Sequence, residues 1–252
     1  MHPRLFKGGT VLDKAIVIEN LSKMYKNNRG IQDLNLEIEH GEIFGFLGPN
    51  GAGKTTTMKI MVGLVKADKG TVKINGFSIV KDYEKAMKDV GCIIENVTPF
   101  PYLTAFENMQ LCGRFSKEVN GTRIDKCLEI TGLIKYKNEK IKNYSLGMKQ
   151  RLGIAMAILS NPKIIILDEP FNGLDVEGMV EMRELIINLS KQHKTTFFIS
   201  SHLIHDIEIT CNKVGILYNG KLIGVDSTHN ILKNYSSLEN YYLSEVDLNA
   251  DY

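Results

Sequence analysis

The chain has 252 residues, with 31 Lys+Arg against 29 Asp+Glu and a formal charge of +2. A hydrophobic share of 43% supplies a full core and a charged share of 24% is ordinary for a globular protein, which excludes disordered and collagen-like classes. Near-balanced charge excludes a general attraction for nucleic acid, and the length fits one large α/β domain or a core carrying an inserted subdomain.

Taken in chain order, residues 1–14 have basic residues but no apolar run behind them, so they do not form a secretory signal and are expected to be a tag-like or poorly defined start. Strand-like alternation begins at Ala15, turns at 26–30 and resumes at 34–38. A third strand, 42–48, runs directly into a glycine-rich loop, and beyond Gly53 apolar residues recur at helical spacing. Residues 70–79 suit a hairpin around Asn75-Gly76, a dipeptide that tolerates positive φ. The stretch 104–140 is helical by periodicity, which places an inserted helical subdomain at about 96–160.

Continuous apolar runs at 163–167 and 195–200 suit central strands covered on both faces, and a further hairpin at 214–225 turns at Asn219-Gly220. The tail, 236–252, has four acidic residues and no Lys or Arg, the pattern of a solvated end. Cys92, Cys112, Cys127 and Cys211 show no Cys-x-x-Cys spacing and are expected to be reduced, buried thiols of an intracellular protein. No stretch approaches the ~18 consecutive apolar residues that span a bilayer.

Two features carry chemistry. Gly48-Pro49-Asn50-Gly51-Ala52-Gly53-Lys54-Thr55 matches G-x-x-x-x-G-K-[ST], between a predicted strand and a predicted helix, the context this motif requires. Its glycines let several backbone N–H groups converge on a phosphate chain at the positive end of a helix, with Thr56 next along it. Lys54 then reaches the β- and γ-phosphates of a nucleoside triphosphate, and the Thr55 hydroxyl is placed to ligate Mg²⁺. The second feature is an apolar strand ending in Asp168-Glu169, whose carboxylates fall at the rim where open α/β sheets bind ligands. Asp168 is positioned to hold Mg²⁺, and Glu169 to accept a proton from the attacking water.

With these motifs in order, the chain resembles the nucleotide-binding subunits of ABC transporters over about residues 15–235. Tyr144-Ser145-Leu146-Gly147-Met148-Lys149-Gln150-Arg151 is similar to the family signature. The resemblance implies a P-loop NTPase (RecA-like) α/β core with an N-terminal antiparallel β subdomain and an inserted α-helical subdomain. It also implies that Ser145, Leu146, Gly147 and Met148 contact ATP held by an opposite subunit, that Tyr25 stacks on adenine, and that Asp175 lies in the loop joining two subunits. His202 resembles the histidine that senses the γ-phosphate.

Two departures mark a subgroup. Glu95 stands where most relatives have Gln, still offering oxygen to Mg²⁺ but as an anion, and Leu146 and Met148 replace the common Gly and Gln of the signature. Together with the runs IIEN, TPFPYLTAFENM and YSLGMKQRLGIA, they resemble the bacitracin and lantibiotic subgroup. The implied protein is an ATPase at the cytoplasmic face of a bacterial membrane. It works as a homodimer or closely related pair, without nucleic acid, and powers export through a separate permease that touches the loop at Phe100, Pro101 and Tyr102. Two alternatives stand beside it: a soluble ABC ATPase working in cluster assembly or on nucleic acid, and a regulator that binds ATP without hydrolysing it.

Overall fold

A computed structural model describes residues 14–26, 29–95, 98–114, 116 and 118–249. The tag-like start therefore lies outside the described residues except for Lys14. The strand β1 (Lys14–Met24) pairs antiparallel with β2 (Gly30–Glu39), and β3 (Ile43–Leu47) leads through the glycine-rich loop into α1 (Lys54–Met61). Asn75 and Gly76, at φ 51° and 78°, join β4 (Lys69–Ile74) to β5 (Phe77–Ser78) by the expected turn. Then follow α2 (Tyr83–Met87), β6 (Val90–Ile93) and the helices α3 (Ala105–Gly113), α4 (Gly121–Ile130) and α5 (Leu146–Ala157). The strands β7 (Ile164–Asp168) and β8 (Thr196–Ser201) flank α6 (Val176–His193), and α7 (Ile204–Thr210) leads to the hairpin of β9 (Lys213–Tyr218) and β10 (Lys221–Ser227). The described chain ends in α8 (Thr228–Asn234) and α9 (Leu238–Asn249).

Two sheets result. One is antiparallel with order β2-β1-β4-β5, and the other has order β10-β9-β3-β8-β7-β6, parallel from β6 to β9. Every residue of β3, β7 and β8 is buried, as their unbroken apolar runs require. Because successive side chains point to opposite faces, these strands feed two cores. Phe44, Phe46, Ile166 and Phe198 pack toward the N-terminal sheet and α1, whereas Ile43, Leu167, Phe197 and Ile199 pack toward the helical side. The Phe198 ring sits 5.4 Å from Phe44 and 5.3 Å from Phe46, centroid to centroid. Phe198→Ala is expected to lower unfolding free energy by about 3–5 kcal/mol in a denaturant titration.

The helical subdomain has its own start signals. Thr104 and Glu107 form a capping box on α3, Asn120 caps α4 and Ser145 caps α5. In α5, Ser145 and Leu146 are exposed while Leu152, Gly153, Ile154, Ala155 and Ala157 are buried. This helix is therefore polarised from end to end, its second half entering the core, rather than presenting one apolar face. The phenol of Tyr144, just before it, is buried and donates to Tyr136 O at 2.9 Å. Burial pushes its pKa up to about 12.

Two expectations are corrected. The acidic tail is not simply solvated: α9 docks against α7 and β10, with Leu238 and Tyr241 buried and the Leu238 N–H donating to Glu208 Oε2. Leu238 and Tyr241 anchor it and Glu245 lies half-buried beside Gly224 of β10, while Glu239 and Asp247 face solvent together with Leu243 and Leu248, an arrangement that charge counting misses. Among the cysteines, all free, Cys127 and Cys211 are buried but Cys92 and Cys112 are exposed.

Candidate functional site

The glycine-rich loop needs its glycines for two reasons: Gly48 and Gly53 have no room for a side chain, and Gly51 and Gly53 take left-handed backbone. Gly51 and Gly53 take φ 83° and 112°, and a Cβ on Gly53 would lie 2.5 Å from Ile31 Cγ2. A Cβ on Gly48 would lie 2.3 Å from the Leu217 carbonyl oxygen. Lys54, 5% exposed, folds back under the loop and donates to Gly48 O at 2.7 Å and Pro49 O at 3.3 Å. Its ammonium also pairs with Glu169 Oε1 at 3.1 Å. Pro49, Asn50, Gly51, Gly53, Lys54, Thr55 and Thr56 line a groove of about 310 Å³ together with Tyr25, Arg29 and Glu169. Gly48 and Ala52 are buried and do not line that groove. Tyr25 is 42% exposed and lines the groove rather than the core, with the Lys23 ammonium 5.8 Å from its ring centroid.

The end of β7 meets this groove from the side. The Thr55 hydroxyl donates to Asp168 Oδ2 at 2.9 Å, and Ser200 Oγ donates to Asp168 Oδ1 at 2.6 Å. The same Ser200 hydroxyl accepts the Glu169 N–H at 3.0 Å. Glu169 takes φ 49°, which breaks the strand direction and swings its carboxylate between Lys54 and His202, whose Nδ1 lies 2.9 Å from Oε2. Sequence reasoning missed Ser200. Its only signal is a polar residue at the end of an apolar strand, made meaningful by the register that sets Ser200 opposite Asp168.

Among the described residues no group of three or more His, Cys, Asp or Glu converges on a metal. Thr55 and Asp168 supply two hard oxygens side by side. That donor set fits Mg²⁺, which uses one or two protein oxygens and takes the rest from phosphate and water.

Other expected residues lie apart. Glu95, at φ 65°, turns its carboxylate away from Thr55 and Asp168 onto the Lys59 ammonium, so only its main-chain N–H faces Asp168 Oδ2, at 3.4 Å. The expectation that Glu95 oxygen joins the metal ligands is thus not met in this conformation, because the nearest positive charge lies outward on α1. Ser145 acts as the cap of α5, accepting the Met148 N–H at 3.2 Å, and neither it nor Gly147 lines the phosphate groove. Leu146 instead borders a second cavity of about 460 Å³ with Lys149, Gln150, Asp168, Glu169 and Asn172. Gln150 Nε2 donates to Asn172 O at 2.9 Å, tying α5 to the loop before Asp175, which caps α6 by accepting the Gly178 N–H.

Comparisons with known proteins identify the family of a chain with this fold and this glycine-rich loop. The family model described as ABC transporter matches residues 31–172. The chain is 43% identical over 212 residues to the bacitracin transport ATP-binding protein BcrA of Bacillus licheniformis, covering 84% of this chain and 69% of that one. It is 37% identical over 207 residues to the lantibiotic transport ATP-binding protein SrtF of Streptococcus pyogenes, covering 82% and 88%. Among solved structures, a dimeric ATP-binding cassette in a post-hydrolysis state bound to ADP and Pi superposes with TM-score 0.75 at 26% identity, over 84% of this chain and 98% of that one. With a cradle for phosphate and an acid aimed into it, the chain belongs to the ABC transporter family as an ATP-binding subunit, and its reaction is ATP hydrolysis.

Proposed function

We propose that this ATPase powers export of a peptide antibiotic of the bacitracin or lantibiotic kind, acting as a homodimer bound to a separate membrane permease. The observation that carries the cargo is the likeness to BcrA at 43% identity, in a chain that also has the subgroup runs around Glu95 and Ser145. No helix among the described residues is long and apolar enough to cross a membrane. The pathway for cargo therefore belongs to the permease, which holds this subunit at the cytoplasmic face. The docking loop is Phe100 to Tyr102. Phe100 and Tyr102 are 45% and 63% exposed with ring centroids 5.8 Å apart. Buried Asn108 fixes the Phe100 backbone by accepting its N–H at 2.8 Å and donating to its carbonyl oxygen at 3.2 Å.

In this reading the loop amides and Lys54 hold the phosphates, Tyr25 stacks on adenine, and Thr55 with Asp168 holds Mg²⁺, which supplies charge neutralisation at the phosphates. Glu169 accepts a proton from the attacking water, and His202 orients Glu169 and meets the γ-phosphate. Ser145, Leu146, Gly147 and Met148 of a second copy cover the phosphates from across a two-fold interface, with Asp175 near the join. The exposed start of α5 suits that use, since a helix N-terminus favours anions. The experiment is deletion of the gene in its host followed by growth in bacitracin and in a lantibiotic. Sensitivity is expected to rise and to be restored by the parental gene but not by a Glu169→Gln copy. Unchanged sensitivity to both would remove the proposed cargo while leaving the ATPase assignment intact.

A further inference from the structure

Lys59 does not line the groove of the glycine-rich loop, yet it pairs with Glu95, an acid at the edge of the site whose carboxylate points outward. It stands one helical turn after Thr55 on α1, so both side chains leave the same face of the helix. Thr55 reaches Asp168 while Lys59 reaches Glu95. The Glu95 N–H lies 3.4 Å from Asp168 Oδ2, and Glu95 borders the same 460 Å³ cavity as Asp168 and Glu169. The Glu95 main chain thus already lies beside Asp168, and its side chain has several staggered rotamers besides the one that meets Lys59. The ion pair opposes a change of rotamer. It is partly solvated, with side-chain exposures of 29% for Lys59 and 61% for Glu95, so its hold is modest and reversible.

We infer that Lys59 is a positioning residue that sets divalent-metal affinity by holding Glu95 off the metal ligands. This rests on the assignment of Thr55 and Asp168 as those ligands. Released from Lys59, Glu95 adds an anionic oxygen to a site that has only one carboxylate committed to the cation, and hard cations bind more tightly as ligand charge rises.

The test is Mn²⁺ binding in the presence of ADP, read from the electron paramagnetic resonance of free Mn²⁺, so that no turnover is needed. Lys59→Met keeps length and helix preference and removes only the charge. It is expected to tighten Mn²⁺ about two- to fivefold, the equilibrium factor of an exposed ion pair. In a Glu95→Gln background the same substitution is expected to change nothing. Unchanged affinity on Lys59→Met would overturn the inference. So would equal tightening in both backgrounds, because Lys59 would then act only through its field. Thr55→Ala serves as the control: a clear loss of Mn²⁺ affinity supports the metal assignment. No loss would remove that assignment and this inference with it, an outcome distinct from failure of the Lys59 variants alone.

Discussion

Glu169→Gln is expected to bind ATP about as well as the parent chain and to hydrolyse it at least a hundredfold more slowly, within the roughly 10²–10⁴ range of general-base catalysis. The substitution is nearly isosteric. An amide oxygen can still accept from Lys54, and the contact with His202 can persist, so the groove keeps its shape. What disappears is the basic lone pair beside the phosphate cradle. Chemistry then stops after binding, and the protein should accumulate as an ATP-bound dimer that elutes earlier from a sizing column than the ADP-bound protein. Turnover at the parental rate would remove Glu169 from its role.

Lys54→Met should act on the preceding step. The ammonium is buried among two carbonyls and one carboxylate, so its removal strands the Gly48 and Pro49 oxygens and leaves Glu169 with only His202 nearby. A hydrogen bond to a charged group contributes about 1.5–3 kcal/mol, so ATP affinity should fall by roughly tenfold to a hundredfold. Isothermal titration with ATP in the presence of EDTA and then of Mg²⁺ would separate this loss from any change in metal binding. Affinity within twofold of the parent in both conditions would show that the loop amides hold the phosphates without Lys54. The pair of variants therefore distinguishes holding nucleotide from consuming it.

Local features of the site were legible in the sequence, and long-range ones were not. The phosphate loop announces itself because glycine spacing, a preceding apolar strand and a following helix occupy consecutive residues. Asn75-Gly76 and Asn219-Gly220 did the same for their hairpins, taking positive φ at all four positions. Central placement of β7 and β8 followed from unbroken apolar runs. Ser200 escaped notice because its role depends on which residue of β7 faces it across a strand pairing. Lys59 escaped because Glu95 is separated from it by a strand, a hairpin and a helix. The docking of α9 needed Glu208, supplied by α7, which no periodicity within the tail could reveal. Polar contacts between distant segments are fixed by the fold, so the pattern along the chain carries little trace of them.

Glu95 and Glu169 share one further property: both sit in left-handed backbone, a region that L side chains other than Asn, Asp and Gly visit at a cost of about 1–3 kcal/mol each. In the proposed mechanism, backbone ease therefore opposes the general-base role at Glu169, and at Glu95 it opposes the ion pair with Lys59. Random substitution selected only for thermal tolerance would favour Gly or Asn there, relaxing the chain while erasing its acids. Heat-hardened variants of this protein are best sought by changing residues elsewhere, with 95 and 169 held fixed.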